Sequence, residues 1–204
     1  VQSRGLGDVY KRQTWNNLNK KVCKFSNYLK KLNLKKGDRV AAYVPNKIET
    51  IISFLACAKN GIIWSSCSPD FGVQGVVDIF KKIEQRVLIT SDYYFYNGKK
   101  INILDKVDEV LKQIPSIEKV IVYNYYKKEK ENLKNFIDFE ETLKIETDES
   151  FERFEFNHPI YILFSSGTTG KPKCITHGTG NVLIEHNKEF MLHCDIRDNE
   201  KLFY

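Results

Sequence analysis

Short apolar segments alternate with amphipathic helical segments along most of the chain, and this alternation constrains the fold more than any other feature. The apolar segments lack the regular apolar–polar alternation of a strand that has one face in water. Strands buried on both faces require a parallel sheet with helices on both sides. The sequence therefore predicts an α/β fold, a doubly wound, mainly parallel sheet. Strands are predicted at 39–44, 62–66, 87–90, 119–123 and 160–164.

Helical segments with one apolar face lie between these strands. The first is expected to begin at Trp15 after a Thr14 N-cap, with Trp15, Leu18, Val22 and later apolar residues inward. The second is expected to use Asn46 as its cap, with Glu49 completing a capping box. Its buried face is predicted to contain Ile48, Ile51, Ile52, Leu55 and Ala58. Further helices are predicted at 71–83 and 101–114, and a surface connection with a short helix at 138–155.

The bulk composition is that of a globular protein. The chain has 204 residues, of which 42% are hydrophobic and 28% charged, so it can build one sizeable core. The longest apolar run, 51–58, is too short to span a bilayer. A net charge of +6 suits anionic ligands or nucleic acid, but a lysine-rich solvated face is favoured and no nucleic-acid-binding motif is found. We expect neither a nucleic-acid nor a membrane partner.

The cysteines and histidines predict neither disulfides nor a metal site. The five cysteines are odd in number and unpaired in spacing, which favours a reducing, cytoplasmic location. Cys23 and Cys57 fall in apolar helical patterns as buried thiols, and Cys67 and Cys174 are expected to be packed thiols rather than nucleophiles. A candidate set of metal ligands near the end of the chain is His186, His193 and Cys194. These residues lack the close spacing of metal ligands, so we expect them on helix surfaces.

The stretch YILFSSGTTGKPK is the strongest functional signal. A buried strand stops abruptly, and a loop of hydroxyls, glycines and lysines follows where open α/β sheets bind ligands. Glycines permit close backbone approach, and hydroxyl, N–H and lysine donors suit a polyphosphate. A flexible surface loop has the same composition, so composition alone leaves both interpretations open. The candidate phosphate-binding residues are Ser165, Ser166, Gly167, Thr168, Thr169, Gly170, Lys171 and Lys173.

Two common nucleotide-binding motifs are excluded at this loop. A Walker A loop requires glycine where Ser165 stands, and Ser or Thr where Pro172 follows the lysine. A dinucleotide fingerprint starting at Gly178 requires glycine at the position of Leu183. The loop is therefore neither a P-loop of that type nor an NAD site.

The loop resembles the signature of the adenylate-forming enzymes, which include acyl-CoA synthetases, luciferases and peptide-synthetase adenylation domains. The match runs position by position from Ile162 to Lys173. The stretch 32–46 resembles the early strand and turn of these enzymes, and 56–72 and 175–195 resemble their acetoacetyl-CoA synthetase branch. Trp64-Ser65-Ser66 and 68–72 contribute most to the narrower resemblance, which covers 14–204.

This resemblance implies an acid–thiol ligase that uses ATP, Mg²⁺ and coenzyme A, with acetoacetate as the acid. It implies that the loop holds the β and γ phosphates through Ser165, Ser166, Thr168, Thr169 and Lys173. The two loop glycines would let the loop close, and Lys171 falls at a position that varies in the family. Other short-chain acids such as acetate or propionate, and a non-catalytic nucleotide-binding protein, are the alternatives.

Two residues outside the loop are candidates for substrate binding, and each has a structural alternative. His177 either lines an acyl pocket or hydrogen-bonds at a strand end. Trp64, like Phe71, either shapes substrate binding or packs in the core, and the core is favoured for both. No catalytic residue is assigned.

The ends of the chain suggest a piece of a longer enzyme. Residues 1–13 have no periodicity and resemble translated adapter DNA, so we expect them to be non-native. Residues 14–204 are expected to be part of an N-terminal AMP-binding domain, truncated at its C-terminal end. The family's aromatic-Gly-x-Thr-Glu motif, ribose-binding aspartate and C-terminal lysine are not found here, so this piece alone is expected to be inactive.

Overall fold

The computed structural model describes residues 13–125, 136–165 and 172–201. The strands are β1 (Arg39–Tyr43), β2 (Ile63–Cys67), β3 (Val87–Ser91), β4 (Tyr93–Tyr96), β5 (Lys99–Asn102), β6 (Lys119–Tyr123), β7 (Phe136–Asp138), β8 (Pro159–Ser165) and β9 (Lys173–Gly178). The helices are α1 (Trp15–Lys31), α2 (Ile48–Lys59), α3 (Val73–Phe80), α4 (Leu104–Gln113), α5 (Phe139–Thr142) and α6 (Thr179–Lys188). A π-helical turn, Glu189–His193, follows α6.

The predicted doubly wound α/β fold is confirmed. Seven strands form one sheet in the order β7-β6-β3-β1-β2-β8-β9, and β4 and β5 form a separate ribbon. Within the described part of this sheet, every neighbouring pair from β7 to β8 is parallel, and β9 pairs antiparallel with β8. Buried residues of α1 and α2 pack on one face of this sheet, and those of α3 and α4 on the other. The alternation of buried strands with helices was therefore a sound guide to the topology.

The two predicted helix caps have different outcomes. Thr14 caps α1 as expected, because its hydroxyl accepts a hydrogen bond from the Asn17 N–H at 3.2 Å. The prediction that Asn46 caps α2 is wrong. The backbone stays extended through Lys47, which becomes the cap residue without a side-chain hydrogen bond. The helix therefore begins at Ile48, one residue later than a cap at Asn46 would give.

The apolar faces of the first two helices are only partly those predicted. Trp15 is 87% exposed, whereas the rest of the predicted stripe is buried from Leu18 to Leu29 and partly buried at Leu32. In α2, Ile51 and Leu55 are partly exposed, although they were expected inward. Helix α2 packs against both the sheet and α1, so its buried face differs from the one that a single apolar stripe predicts. The fully buried side chains of α2 are Ile52, Ser53, Ala56 and Cys57.

The sequence interpretation missed the ribbon of β4 and β5. The helix predicted from residue 101 begins at Leu104 instead, because Lys99–Asn102 pairs antiparallel with Tyr93–Tyr96. The turn between them is Asn97-Gly98, with φ of 47° and 73°. Asn-Gly with positive φ at both positions is the strongest short-range hairpin signal, so the sequence did contain the information. The helix predicted at 71–83 is also shorter, Val73–Phe80.

The acidic connection before β8 is a strap, defined here as residues 146–158, that is tied to α1 and α2. Its Glu146 carbonyl accepts a hydrogen bond from Asn27 at 2.8 Å, and Glu152 forms a 3.2 Å ion pair with Lys30. At its end, the His158 ring nitrogen Nε2 is 2.8 Å from the Gly61 carbonyl oxygen. These contacts fix the position from which the chain enters β8.

Two of the three cysteines in α1, α2 and β9 are buried as the sequence predicted. Cys23 and Cys57 are buried free thiols, as predicted, and burial raises the pKa of Cys57. Cys174 is exposed on β9, so the prediction of a packed thiol is wrong there.

Within residues 13–125, 136–165 and 172–201, no helix combines the length and apolar character needed to cross a membrane.

Candidate phosphate-binding site

The hydroxyl- and glycine-rich loop joins two paired strands. Strand β8 runs parallel to β2, so the loop follows the carboxyl end of a parallel strand, as the sequence predicted. Ser165 and Lys173 are direct partners at the end of the β8–β9 ladder. Paired residues of antiparallel strands project their side chains to the same face of the sheet. The fold thus brings together a hydroxyl and an ammonium group at the base of the loop.

Ser165 and Lys173 are the two loop candidates that the structure places. The other six candidates lie outside the described residues: Ser166, Gly167, Thr168, Thr169, Gly170 and Lys171.

Strand β8 is held by its pairing within the sheet and by side chains that pack in the core. Trp64 of β2 pairs with Tyr161, and the buried Ser65 hydroxyl donates a 2.9 Å hydrogen bond to the Ile162 carbonyl. Ile162 is buried in the core formed by α3 and α4, and Phe164 packs against the same core. Tyr161, Ile162 and Phe164 therefore anchor β8, and Ser165 ends the strand at the loop. A rigid strand is what a loop needs in order to hold a charged group in one geometry.

His177 lies in the wall of a cavity of about 320 Å³ beside β8. It is the strand partner of Tyr161, and the two rings are 5.0 Å apart between centroids. Val182, Glu185 and His186 of α6 complete much of the wall. The partner of His177, Tyr161, lies four residues before Ser165 on β8. At about 3.3 Å per residue of extended strand, His177 is therefore about 13 Å from the base of the loop. The cavity gives a place for the predicted acyl-pocket role, which stays a prediction.

The structure separates the two aromatic candidates. Trp64 is 5% exposed and packs against Phe54 with ring centroids 6.1 Å apart, in the core under α1 and α2. This environment favours packing over substrate contact for Trp64. Phe71 is 44% exposed, so the preference for core packing is wrong at that position. Its carbonyl, rather than its ring, is engaged, because it accepts a 2.6 Å hydrogen bond from the buried Tyr43 hydroxyl.

A second cavity, of about 380 Å³, opens at the carboxyl ends of β1 and β2, and the sequence interpretation did not identify it. Its polar wall includes Asn46, Thr50, Ser66, Ser68 and Asp70. The signal was available, because β2 ends in Ser65-Ser66-Cys67 and is followed by Ser68 and Asp70. The half-buried Cys67 also lines the cavity, and burial raises the pKa of its thiol, so it is present as the neutral group. The cavity offers hydrogen-bond donors and acceptors at the edge where ligands of such sheets bind.

The C-terminal histidines do not form a metal centre in the part of the chain that the structure describes. No group of three or more His, Cys, Asp or Glu residues there is arranged to hold a metal ion. His193 instead lies 2.9 Å from the Glu189 carboxylate on an exposed helical surface. Hydrogen bonds from Lys188 and His193 keep the pKa of Glu189 below its ordinary value.

Comparison with known proteins identifies the family. The sequence profile described as AMP-binding enzyme matches residues 3–201. This chain belongs to the AMP-binding enzyme family. Among its relatives, an acetoacetyl-coenzyme A synthetase of Rhizobium meliloti is 44% identical over 98% of the chain and 31% of the relative. A malonamoyl-CoA synthetase of Penicillium aethiopicum is 37% identical over 94% of the chain and 28% of that protein.

A solved structure agrees with the family assignment at the level of the fold. The acetoacetyl-CoA synthetase from Streptomyces lividans has a TM-score of 0.85 and 37% sequence identity, covering 90% of this chain and 28% of that structure. The chain thus spans less than a third of the length of these AMP-binding enzymes.

Proposed function

We propose that the chain is part of an acid–thiol ligase that converts acetoacetate, ATP and CoA into acetoacetyl-CoA, AMP and pyrophosphate. The observation that carries this proposal is the paired base of the loop, Ser165 opposite Lys173, at the end of the anchored strand β8. The acetoacetyl-CoA synthetases among its relatives support the choice of acid. We propose that residues 14–204 are part of the AMP-binding domain and that 1–13 are non-native, although the match to the family profile already begins at residue 3.

In the first step, an acetoacetate carboxylate oxygen attacks the α-phosphorus of ATP. The bond between the α-phosphorus and the bridging oxygen breaks, and pyrophosphate leaves with the additional negative charge. Hydroxyl, N–H and ammonium donors are suited to that charge because they are pre-oriented before it develops. Ser165 and Lys173 would bind it at the base of the loop, together with the loop residues Ser166, Thr168 and Thr169. Mg²⁺ bound to ATP would share the charge as a Lewis acid.

In the second step, the CoA thiolate attacks the acyl carbon of the adenylate and AMP leaves. Residues for adenine and ribose binding would come from the remainder of the enzyme, so we propose that this chain by itself does not complete the reaction. Its unpaired cysteines support a cytoplasmic location.

A second candidate is a ligase for a different short acid. The malonamoyl-CoA synthetase among the relatives supports this candidate, because an enzyme named for a different acid is 37% identical to this chain. The phosphate loop would act in the same way, and only the acyl pocket would differ. Acetate and propionate are the simplest alternative substrates.

The test is ATP–pyrophosphate exchange by the full-length enzyme that contains this segment, with acetoacetate, acetate, propionate and malonamate. We expect acetoacetate to give the highest kcat/KM. Thr168→Val and Lys173→Ala are each expected to slow exchange by roughly 10²-fold, the usual loss for a donor to transition-state charge. Thr147→Val, at an exposed position of the strap, and Lys112→Ala, in an exposed ion pair, are the matched controls. Unchanged exchange in both loop variants would refute the assignment of the loop.

A further inference from the structure

A lysine distant in sequence contacts the exit of the candidate loop. Lys82, in the turn after α3, donates a hydrogen bond from Nζ to the Pro172 carbonyl oxygen at 2.5 Å, across 90 positions of sequence. Pro172 directly precedes Lys173, the last candidate residue of the loop. The contact therefore joins the helical layer to the point where the loop re-enters the sheet.

The turn that presents Lys82 is itself anchored. The next residue, Ile83, is buried in the core of α3 and α4. Its carbonyl accepts a 2.6 Å hydrogen bond from Arg39 Nε, and Arg39 is the first residue of β1. Lys82 thus extends from a backbone that is fixed to the central strand of the sheet.

In the described part of the chain, the exit of the loop at Lys173 is held by pairing with β8. Strand β9 is the last strand of the sheet in the described part of the chain, and its residues 173–176 are exposed. The ladder contacts of Lys173 among the described residues are made with β8. The hydrogen bond from Lys82 adds a further contact, immediately before Lys173.

We propose that Lys82 is a positioning residue for the phosphate loop. It holds the Pro172 carbonyl against the turn after α3, and it keeps this acceptor, which would repel phosphate oxygens, occupied by a cation. Its ammonium group also adds positive charge next to Lys173. The inference rests on the proposed function, because it assigns Lys82 to the binding of the same polyphosphate.

The test compares variants of the full-length enzyme in ATP–pyrophosphate exchange, with kcat and the KM for ATP measured separately. Lys82→Met removes donor and charge, Lys82→Gln removes the charge, and Lys82→Arg keeps both. Lys81→Met is the matched control, because the neighbouring Lys81 is exposed and makes no hydrogen bond to Pro172. Thermal unfolding of each variant checks that it is folded.

We expect Lys82→Met to raise the KM for ATP by roughly tenfold, the factor that corresponds to losing one charge-assisted contact. Lys82→Gln should fall between Lys82→Met and the unmodified enzyme. Lys82→Arg and Lys81→Met should stay within about twofold of it, as should every kcat. An equal KM for Lys82→Met and Lys81→Met would overturn the inference. So would failure of Lys82→Arg to restore the KM.

The outcomes also separate this inference from the function on which it rests. If the unmodified enzyme exchanges pyrophosphate with none of the four acids, the proposed function fails, and the role of Lys82 fails with it. If the unmodified enzyme is active and Lys82→Met behaves as Lys81→Met does, only the positioning role is wrong.

Discussion

Replacing Gly61 with alanine is expected to lower the free energy of unfolding by about 2–3 kcal/mol, the sum of a backbone and a packing effect. Gly61 ends α2 with φ of 64°, a left-handed conformation that costs an L-residue about 1 kcal/mol or more. A Cβ there would lie 2.6 Å from Cε1 of Phe154 and 3.1 Å from Nε2 of His158. The Phe154 ring would have to leave its stack on His158, where the centroids are 5.1 Å apart. Loss of such a ring contact adds about 0.5–1.5 kcal/mol.

Two other glycines serve as matched controls for the two contributions. Gly37 has φ of 88° with no atom within 4 Å of an added Cβ, so Gly37→Ala should show only the backbone cost. Gly72 has neither positive φ nor a near neighbour, but it is the N-cap of α3, where glycine is preferred to alanine, so Gly72→Ala should cost roughly a few tenths of a kcal/mol. Urea unfolding of the full-length protein, followed by a signal from this domain, gives the three values. The packing argument is refuted if Gly61→Ala costs no more than Gly37→Ala.

A double-mutant cycle isolates the ring contact. A Phe154→Ala background removes the 2.6 Å clash with the ring and leaves only the 3.1 Å approach to His158 Nε2, so the cost of Gly61→Ala should fall to near the backbone value of about 1 kcal/mol. An undiminished cost in that background would show that the ring is not responsible. The result matters for the site because Phe154 and His158 belong to the strap that leads into β8.

Two further predictions concern the turn between α3 and β3. Gln85 is fully buried and neither amide atom has a hydrogen-bond partner among the described residues, so Gln85→Leu should raise the free energy of unfolding by about 1–2 kcal/mol. A loss of stability in urea would contradict this. Arg86 makes 2.8 Å and 2.9 Å hydrogen bonds to the Glu118 carboxylate and a 2.8 Å ion pair with Asp38, so Arg86→Met should destabilise by about 1 kcal/mol at neutral pH. These hydrogen bonds from Arg86 lower the pKa of Glu118, so this stabilisation is present above the unfolded-state pKa of about 4.3 and is lost as pH falls through the lower folded-state value. The difference between Arg86→Met and the unmodified protein should therefore shrink below about pH 4, and a constant difference across pH would argue against the ion pair as its cause.

The strand layout was predictable because each parallel strand is buried on both faces. A strand such as Lys119–Tyr123 is apolar at every position after the first, and that requirement is visible in the sequence without a partner. The Thr14 cap was predictable for a similar reason, since its hydrogen bond is made to a residue three positions away. Both signals are local.

The errors occurred where a local signal competed with a distant contact or was overlooked. Asn46 has a capping-box spacing, but the path from β1 keeps the backbone extended until Lys47. Leu55 matches a helical stripe, yet the two-sided packing of α2 determines which residues are buried. The β4–β5 ribbon differs from these, because Asn97-Gly98 marked it in the sequence.

The sequence by itself determined the succession of helices and strands and the chemistry available in the candidate loop. These depend on residue type and on spacings of a few positions. Only the tertiary structure decided that β9 returns antiparallel to set Lys173 opposite Ser165, and that Lys82 reaches Pro172. The second contact spans 90 positions and depends on the order of strands in the sheet and the layer in which α3 packs. Local periodicity has no means of encoding such a distance, because many sheet orders bury the same apolar residues equally well.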